Sequence, residues 1–234
     1  MGAPELVRKY EQLSSEVSYL ESFLPKGLGK PRIDTRAIWK SDIAGFTAAT
    51  DDALKQGQLA TDKWVRRIGE EIYGSFDLLM PYGGNIQYHE GDAGIAIFDD
   101  LEGAILGATA VKDAINKLKP VILSDKTEKQ LKLRQGIATG KIFTAVVGDE
   151  NRKIPVIDGQ ALEDSYEMET IADKDGIVCV DEETYYQLKD KYKFTRKEVK
   201  GKTGYELAER PVLTASKTNR TNNAAGLPKR NIIP

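Results

Sequence analysis

Two aspartates stand where the chain is expected to turn after a strand. They are Asp42 in Ser41-Asp42-Ile43-Ala44-Gly45-Phe46-Thr47 and Asp92 in Glu90-Gly91-Asp92-Ala93-Gly94. Carboxylates at adjacent strand ends can share a pair of Mg²⁺ ions, which take hard oxygen ligands and complete their shells with substrate phosphates. The neighbouring Gly45 and Gly91 would let phosphate oxygens approach the backbone closely. An Asp beside a Gly, taken alone, is usually ordinary turn chemistry, because both residues favour turns. Strand alternation puts Lys40 on the same face as Asp42, where it would pair with a carboxylate or meet a phosphate. His89 alternates to the face opposite Tyr88 and is expected to be structural rather than a general base. Cys179 lies in an apolar stretch and reads as core.

These residues need strands and helices to hold them, and the patterning supplies both. Apolar residues at Leu6, Tyr10, Leu13, Val17, Leu20 and Leu24 predict one amphipathic helix, packed on its own domain or forming a short coiled-coil seam. Residues 37–43 read as a strand and 47–79 as helix, broken near Gly57. Residues 85–98 read as two strands about Gly91-Asp92, and 101–118 as a helix stopped by Pro120. The stretch 133–147 reads as two strands turning at Thr139-Gly140. Next come a helix over 160–172, a strand over 176–180 and a helix over 181–189 that starts on the acidic cap Asp181. A hairpin through Lys200-Gly201-Lys202-Thr203 closes the domain. Residues 214–234 carry four basic residues and no acid, which predicts a disordered basic tail. The organisation expected is a helix and linker over 1–33, one domain over 34–210 and the tail over 211–234.

Composition narrows the class. The chain has 234 residues, 40% of them hydrophobic, enough for one sizeable core. A single cysteine rules out an intramolecular disulfide, and with a single histidine it leaves no zinc ligand set. Lys plus Arg (34) nearly balances Asp plus Glu (36), so global charge points to neither nucleic acid nor anionic membrane as a partner. No apolar run approaches the ~20 residues of a membrane span, and the N-terminus lacks a signal layout. A cytoplasmic location is the expectation.

The ordered set of motifs resembles one family. Ser41-Asp42-Ile43-Ala44-Gly45-Phe46-Thr47, then Tyr82-Gly83-Gly84 leading to Glu90-Gly91-Asp92-Ala93, is similar to the first half of class III nucleotidyl cyclase domains. Leu133 to Gly140 with Val147-Gly148-Asp149-Glu150 resembles that family's central segment, and Val199-Lys200-Gly201-Lys202 its closing one. Gly159-Gln160-Ala161-Leu162-Glu163-Asp164 looks nearest the branch of soluble, bicarbonate-responsive adenylyl cyclases. The resemblance implies an α+β fold with a ferredoxin-like βαββαβ core, a C-terminal hairpin and helices outside the sheet. It implies Mg²⁺ or Mn²⁺ held by Asp42, Asp92 and the Ile43 carbonyl, with Gly45, Phe46, Thr47 and Lys200 meeting the phosphates of a nucleoside triphosphate. It also implies a head-to-tail homodimer with composite sites.

Several positions depart from that pattern. Tyr88 stands where the family carries a base-selecting Lys, and Val156 where that lysine has a polar partner. Glu163 and Glu167 replace an Asn and a transition-state Arg, the branch's alternative Arg position falls on Tyr166, and Lys40 replaces a Phe. The class also contains bacterial pyrimidine cyclases with altered base pockets. Two readings therefore stand: a cyclase whose base is a pyrimidine rather than adenine, or a pseudo-cyclase that serves as a dimeric nucleotide-binding or regulatory module.

Overall fold

The computed structural model describes residues 31–148, 153–173 and 176–208. The predicted helix over 6–24 and the basic tail lie outside these residues. The first strand, β1 (Arg32–Ala44), is longer than its apolar centre suggested. Gly45 follows at φ +83°, a left-handed turn that starts helix α1 (Phe46–Gln56). Gly57 breaks the run, as its position predicted, and α2 (Gln58–Arg67) follows. Helical backbone continues through a π turn (Ile68–Tyr73), one α turn (Gly74–Phe76) and a 3-10 stretch (Asp77–Tyr82), and ends on the left-handed Gly83.

The hairpin β2 (Gly84–Glu90) and β3 (Ala93–Phe98) leads to α3 (Leu101–Asn116), capped by the Asp100 carboxylate, which accepts from Gly103 N–H at 3.0 Å. A small arm of two short strands, β4 (Val121–Ile122) and β5 (Glu128–Lys129), precedes β6 (Lys132–Gly148). The remainder is β7 (Lys153–Asp158), α4 (Gln160–Ile171), β8 (Val178–Val180), α5 (Glu182–Leu188) and the hairpin β9 (Phe194–Val199) with β10 (Lys202–Leu207).

The sheet runs β2-β3-β1-β6-β8-β10-β9, with β7 on the far half of β6. Within it β2-β3-β1-β6 is all antiparallel, the arrangement of a ferredoxin-like core. Segment 133–147 is one continuous strand and does not turn at Thr139-Gly140. Pairing with β1 keeps the segment extended there: Thr139 lies opposite Ala37 and Gly140 opposite Arg36.

The two sheet faces bury different things. Ala37, Trp39 and Ile43 pack against Phe76, Leu79 and the α3 residues Ile105, Ala108 and Val111. On the other face Ile38, Ile95 and Ile142 meet Ala161 of α4. A second cluster on α4 joins Met168 and Ile171 to Cys179, whose thiol burial pushes up to about 12, so it is inert core. Among the described residues no helix is long and apolar enough to cross a membrane.

Asp181 caps α5, accepting from Thr184 N–H at 3.1 Å, and burial pushes its carboxyl up to about 6 from 3.8. A raised folded-state pKa means the folded chain keeps a proton that the unfolded chain has released. This contribution to stability is therefore complete below about pH 4 and is lost as pH rises toward 6. The expected loss across that window is on the order of 2 to 3 kcal/mol. Denaturant titrations at pH 4.5 and 6.5 should show it in the wild type. In Asp181→Asn, which keeps a capping oxygen, the difference should shrink; an unchanged difference would assign it to other groups.

Candidate functional site

Strand register brings the two aspartates together. Ser41 lies opposite Gly94, so the β2–β3 turn comes level with the C-terminal end of β1. Gly91 (φ +62°) and Asp92 form that two-residue turn between the paired Glu90 and Ala93. The Ile43 N–H then donates to Asp92 Oδ2 at 3.0 Å. Asp42, one residue earlier, lies opposite Arg134 on β6, and Arg134 Nη2 binds Asp42 Oδ2. Arg134 Nε is also 2.9 Å from Glu169 Oε1 of α4, a contact of charges rather than an aligned hydrogen bond.

Electrostatics at this end of the sheet are those of a crowded, half-dry cluster. Burial raises the Asp92 carboxyl above its ordinary value, and the Glu169 charge adds to that. The backbone N–H donors and the Lys40 charge pull it back. Lys40 is only 4% exposed; its Nζ donates to Ser41 O at 3.0 Å and lies 5.0 Å from the Tyr166 ring centroid. The Tyr73 hydroxyl donates to Gly91 O, and burial together with the Asp92 charge raises its pKa.

These groups suit a hard divalent cation. Asp42 and Asp92 present carboxylate oxygens from adjacent strand ends, and a cation would offset the desolvation that now disfavours the Asp92 anion. Among the described residues no cluster of three or more His, Cys, Asp or Glu forms a ready-made metal cage. Mg²⁺ sites commonly use one or two carboxylates, with phosphates and waters supplying the rest.

Beside the aspartates, the Gly45 turn opens α1 with no side-chain cap and no acidic residue in its first turn. Phe46 is pinned by Trp64, with ring centroids 5.5 Å apart, and Thr47 is exposed. The backbone N–H groups of this turn are donors for an anion. Asp42, Ile43, Asp92, Gly45, Phe46 and Thr47 thus share one end of the sheet.

Tyr88 is on the edge strand β2 opposite Ile95, which pairs in turn with Lys40, so its backbone is level with this end of β1 and two strands away. Two predicted residues lie elsewhere. Val156 pairs with Ala145 on the far half of β6 and lines a cleft of about 340 Å³ with Arg32, Arg36 and Gln87. Arg32 pairs with Thr144 and Thr144 with Ile157, so Val156 is level with the start of β1. That start lies ten residues from Asp42, roughly 30 Å along the strand. Lys200 is exposed at φ +53° in the β9–β10 turn, and β10 is three strand spacings from β1, roughly 14 Å. Glu167 is ion-paired with Lys202 at 2.8 Å. One copy of the chain does not assemble Val156 and Lys200 with its own Asp42.

The residues that sequence reasoning missed here are Arg134, Glu169 and Tyr73. Arg134 stood within a quoted motif, but its partnership with Asp42 depends on register between segments 92 residues apart.

No family model matches the chain. Over 138 residues it is 28% identical to the terminal-differentiation specific adenylate cyclase of Dictyostelium discoideum. That match takes in 58% of this chain and 6% of the relative, so it spans a small part of that protein. The adenylyl cyclase CyaB of P. aeruginosa superposes with TM-score 0.63 at 21% identity, covering 77% of this chain and 97% of that one. The guanylate cyclase domain of RhGC from Catenaria anguillulae, solved in complex with GTP, superposes with TM-score 0.56 at 18% identity, covering 78% and 100%. With its central antiparallel sheet flanked by helices, this chain therefore has the fold of a class III nucleotidyl cyclase catalytic domain.

Proposed function

We propose that the chain converts a nucleoside triphosphate to its 3′,5′-cyclic nucleotide and pyrophosphate, with residues 34–210 as the catalytic unit. The observation that carries this reading is the Asp92 carboxylate held on the Ile43 N–H, one residue from Asp42. Asp42, Asp92 and the Ile43 carbonyl would hold Mg²⁺ or Mn²⁺. Such an ion supplies two things when bound: a lower pKa for the ribose 3′-hydroxyl and screening of phosphate charge. The Gly45, Phe46 and Thr47 N–H groups hold the phosphates in line. The 3′-oxygen bonds to the α-phosphorus, the bond from that phosphorus to the bridging oxygen breaks, the hydroxyl proton is released and pyrophosphate leaves.

The site is completed by a second copy arranged head to tail, which brings its own Lys200, Tyr88 and Val156 to the first copy's aspartates. The ~30 Å between Asp42 and Val156 within one chain supports this arrangement, because a single copy leaves the base unread. Tyr88 offers one hydroxyl and a stacking ring, and Val156 offers no hydrogen bond. A purine would be left with unsatisfied polar edges, so a pyrimidine triphosphate is favoured over ATP.

Purified protein incubated with each of the four ribonucleoside triphosphates and Mg²⁺ or Mn²⁺ should yield cyclic UMP or cyclic CMP by mass spectrometry, faster than cyclic AMP. Tyr88→Phe should change the product ratio by on the order of tenfold while leaving the metal requirement unchanged. Faster cyclisation of ATP than of UTP and CTP would overturn the base assignment.

A second reading, a pseudo-cyclase acting as a dimeric nucleotide-binding module, is favoured by one observation. Glu167, at the position of the family's transition-state Arg, is tied to Lys202. Nucleotide binding without cyclic product from any of the four triphosphates would select it.

A further inference from the structure

We infer that Lys129, on the small β4–β5 arm, is a phosphate-binding residue of this same site and supplies from within the chain the positive charge that Glu163 and Glu167 cannot. The inference rests on the nucleotide reading above. Lys129 reaches over the Gly45 turn so closely that a Cβ at Gly45 would collide with its Cε and Nζ. The left-handed backbone is what requires glycine there, and the lysine's flexible end lies over the turn that glycine leaves open.

The placement is built. Leu131, two residues on, is fully buried in the main core, and Val121, opposite Lys129 in the arm, packs against that core. At the arm's tip the Ser124 N–H donates to Asp52 Oδ2 of α1 at 2.9 Å, and the Ser124 hydroxyl donates to the same carboxylate. At the arm's base Arg67 of α2 donates to the carbonyls of Lys119 and Pro120. The arm is thus clamped to the helix whose first turn faces the aspartates.

Charge then points to the ligand. Among the described residues the Lys129 ammonium meets no carboxylate, hydrogen-bond acceptor or ring, and the first turn of α1 has no acidic side chain. A lysine ammonium and the positive end of a helix repel one another. A polyanion seated between them answers both, and it would lie next to the carboxylates that hold the metal.

The full chain as wild type, Lys129→Met and Lys129→Arg is titrated calorimetrically with inorganic triphosphate and with orthophosphate in Mg²⁺ buffer. Triphosphate affinity should fall on the order of tenfold in Lys129→Met and return to within about threefold of wild type in Lys129→Arg. Orthophosphate affinity should fall in Lys129→Met as well, and the unfolding temperature should stay unchanged, which a merely structural lysine would not produce. Lys129→Met binding triphosphate as wild type does overturns the inference and leaves the nucleotide reading standing. Triphosphate binding that needs Lys129, in a protein that cyclises no nucleotide, keeps the inference and removes turnover. Wild-type protein that binds no triphosphate overturns both.

Discussion

Asp92→Asn leaves the fold standing and lowers cyclase turnover on the order of 10³-fold or more. The substitution keeps the side chain's size and an oxygen to accept the Ile43 N–H, now made at 3.0 Å. What it removes is the negative charge that a divalent cation needs. Burial already disfavours that charge, as the raised Asp92 pKa records, so the variant should unfold at the same temperature or a higher one. Asp42→Asn should lose as much activity, but it also leaves Arg134 and Glu169 without their third partner and should cost some stability.

A mixing experiment makes the result specific to a composite site. Asp92→Asn and Lys200→Ala should each be nearly inactive, and co-refolding them should restore about a quarter of wild-type activity. Half of the random pairs are mixed, and one of the two clefts in each mixed pair has both an intact aspartate and an intact lysine. Retained turnover in Asp92→Asn would remove the metal assignment. Failure of the mixture to regain activity would show that Lys200 does not act across a twofold pair.

Gly136→Ala is expected to destabilise the domain by roughly 3 kcal/mol, the upper range for overpacking a tight contact. A Cβ at 136 would collide with the Ser165 carbonyl and the Glu169 N–H of α4, which are backbone atoms that cannot swing aside. To make room, α4 must move off β6, carrying Glu169 away from Arg134 and Arg134 away from Asp42. Metal-dependent activity should therefore fall further than the folded fraction does. Gly69→Ala is the control, since a Cβ there meets nothing within 4 Å, and it should be neutral or stabilising by up to about 1 kcal/mol. Equal midpoints in urea for Gly136→Ala and Gly69→Ala would show that α4 does not pack on β6 as described.

Much of the site was legible because it is made locally. Asp42 and Asp92 stand at strand ends whose turns are written by adjacent glycines, and a turn is decided by the few residues within it. The same holds for the break at Gly57, the Asp181 cap and the two closing strands around Lys200-Gly201. Local signals failed where pairing with a distant strand overrides a turn residue. Gly140 pairs with Arg36 of β1, so a glycine that looked like a turn lies inside a 17-residue strand.

The amino-acid sequence by itself determined which carboxylates stand at strand ends and which glycine turn opens the first helix, because strand ends and turns follow from neighbouring residues. Only the tertiary structure decided what surrounds them. The Asp42–Arg134–Glu169 chain of charges, the burial of Lys40 beneath Tyr166, the seating of Lys129 over Gly45 and the distance of Val156 from Asp42 all depend on strand register and helix docking. Register is set by the sum of burial over a whole sheet face, and no short stretch of sequence contains that sum.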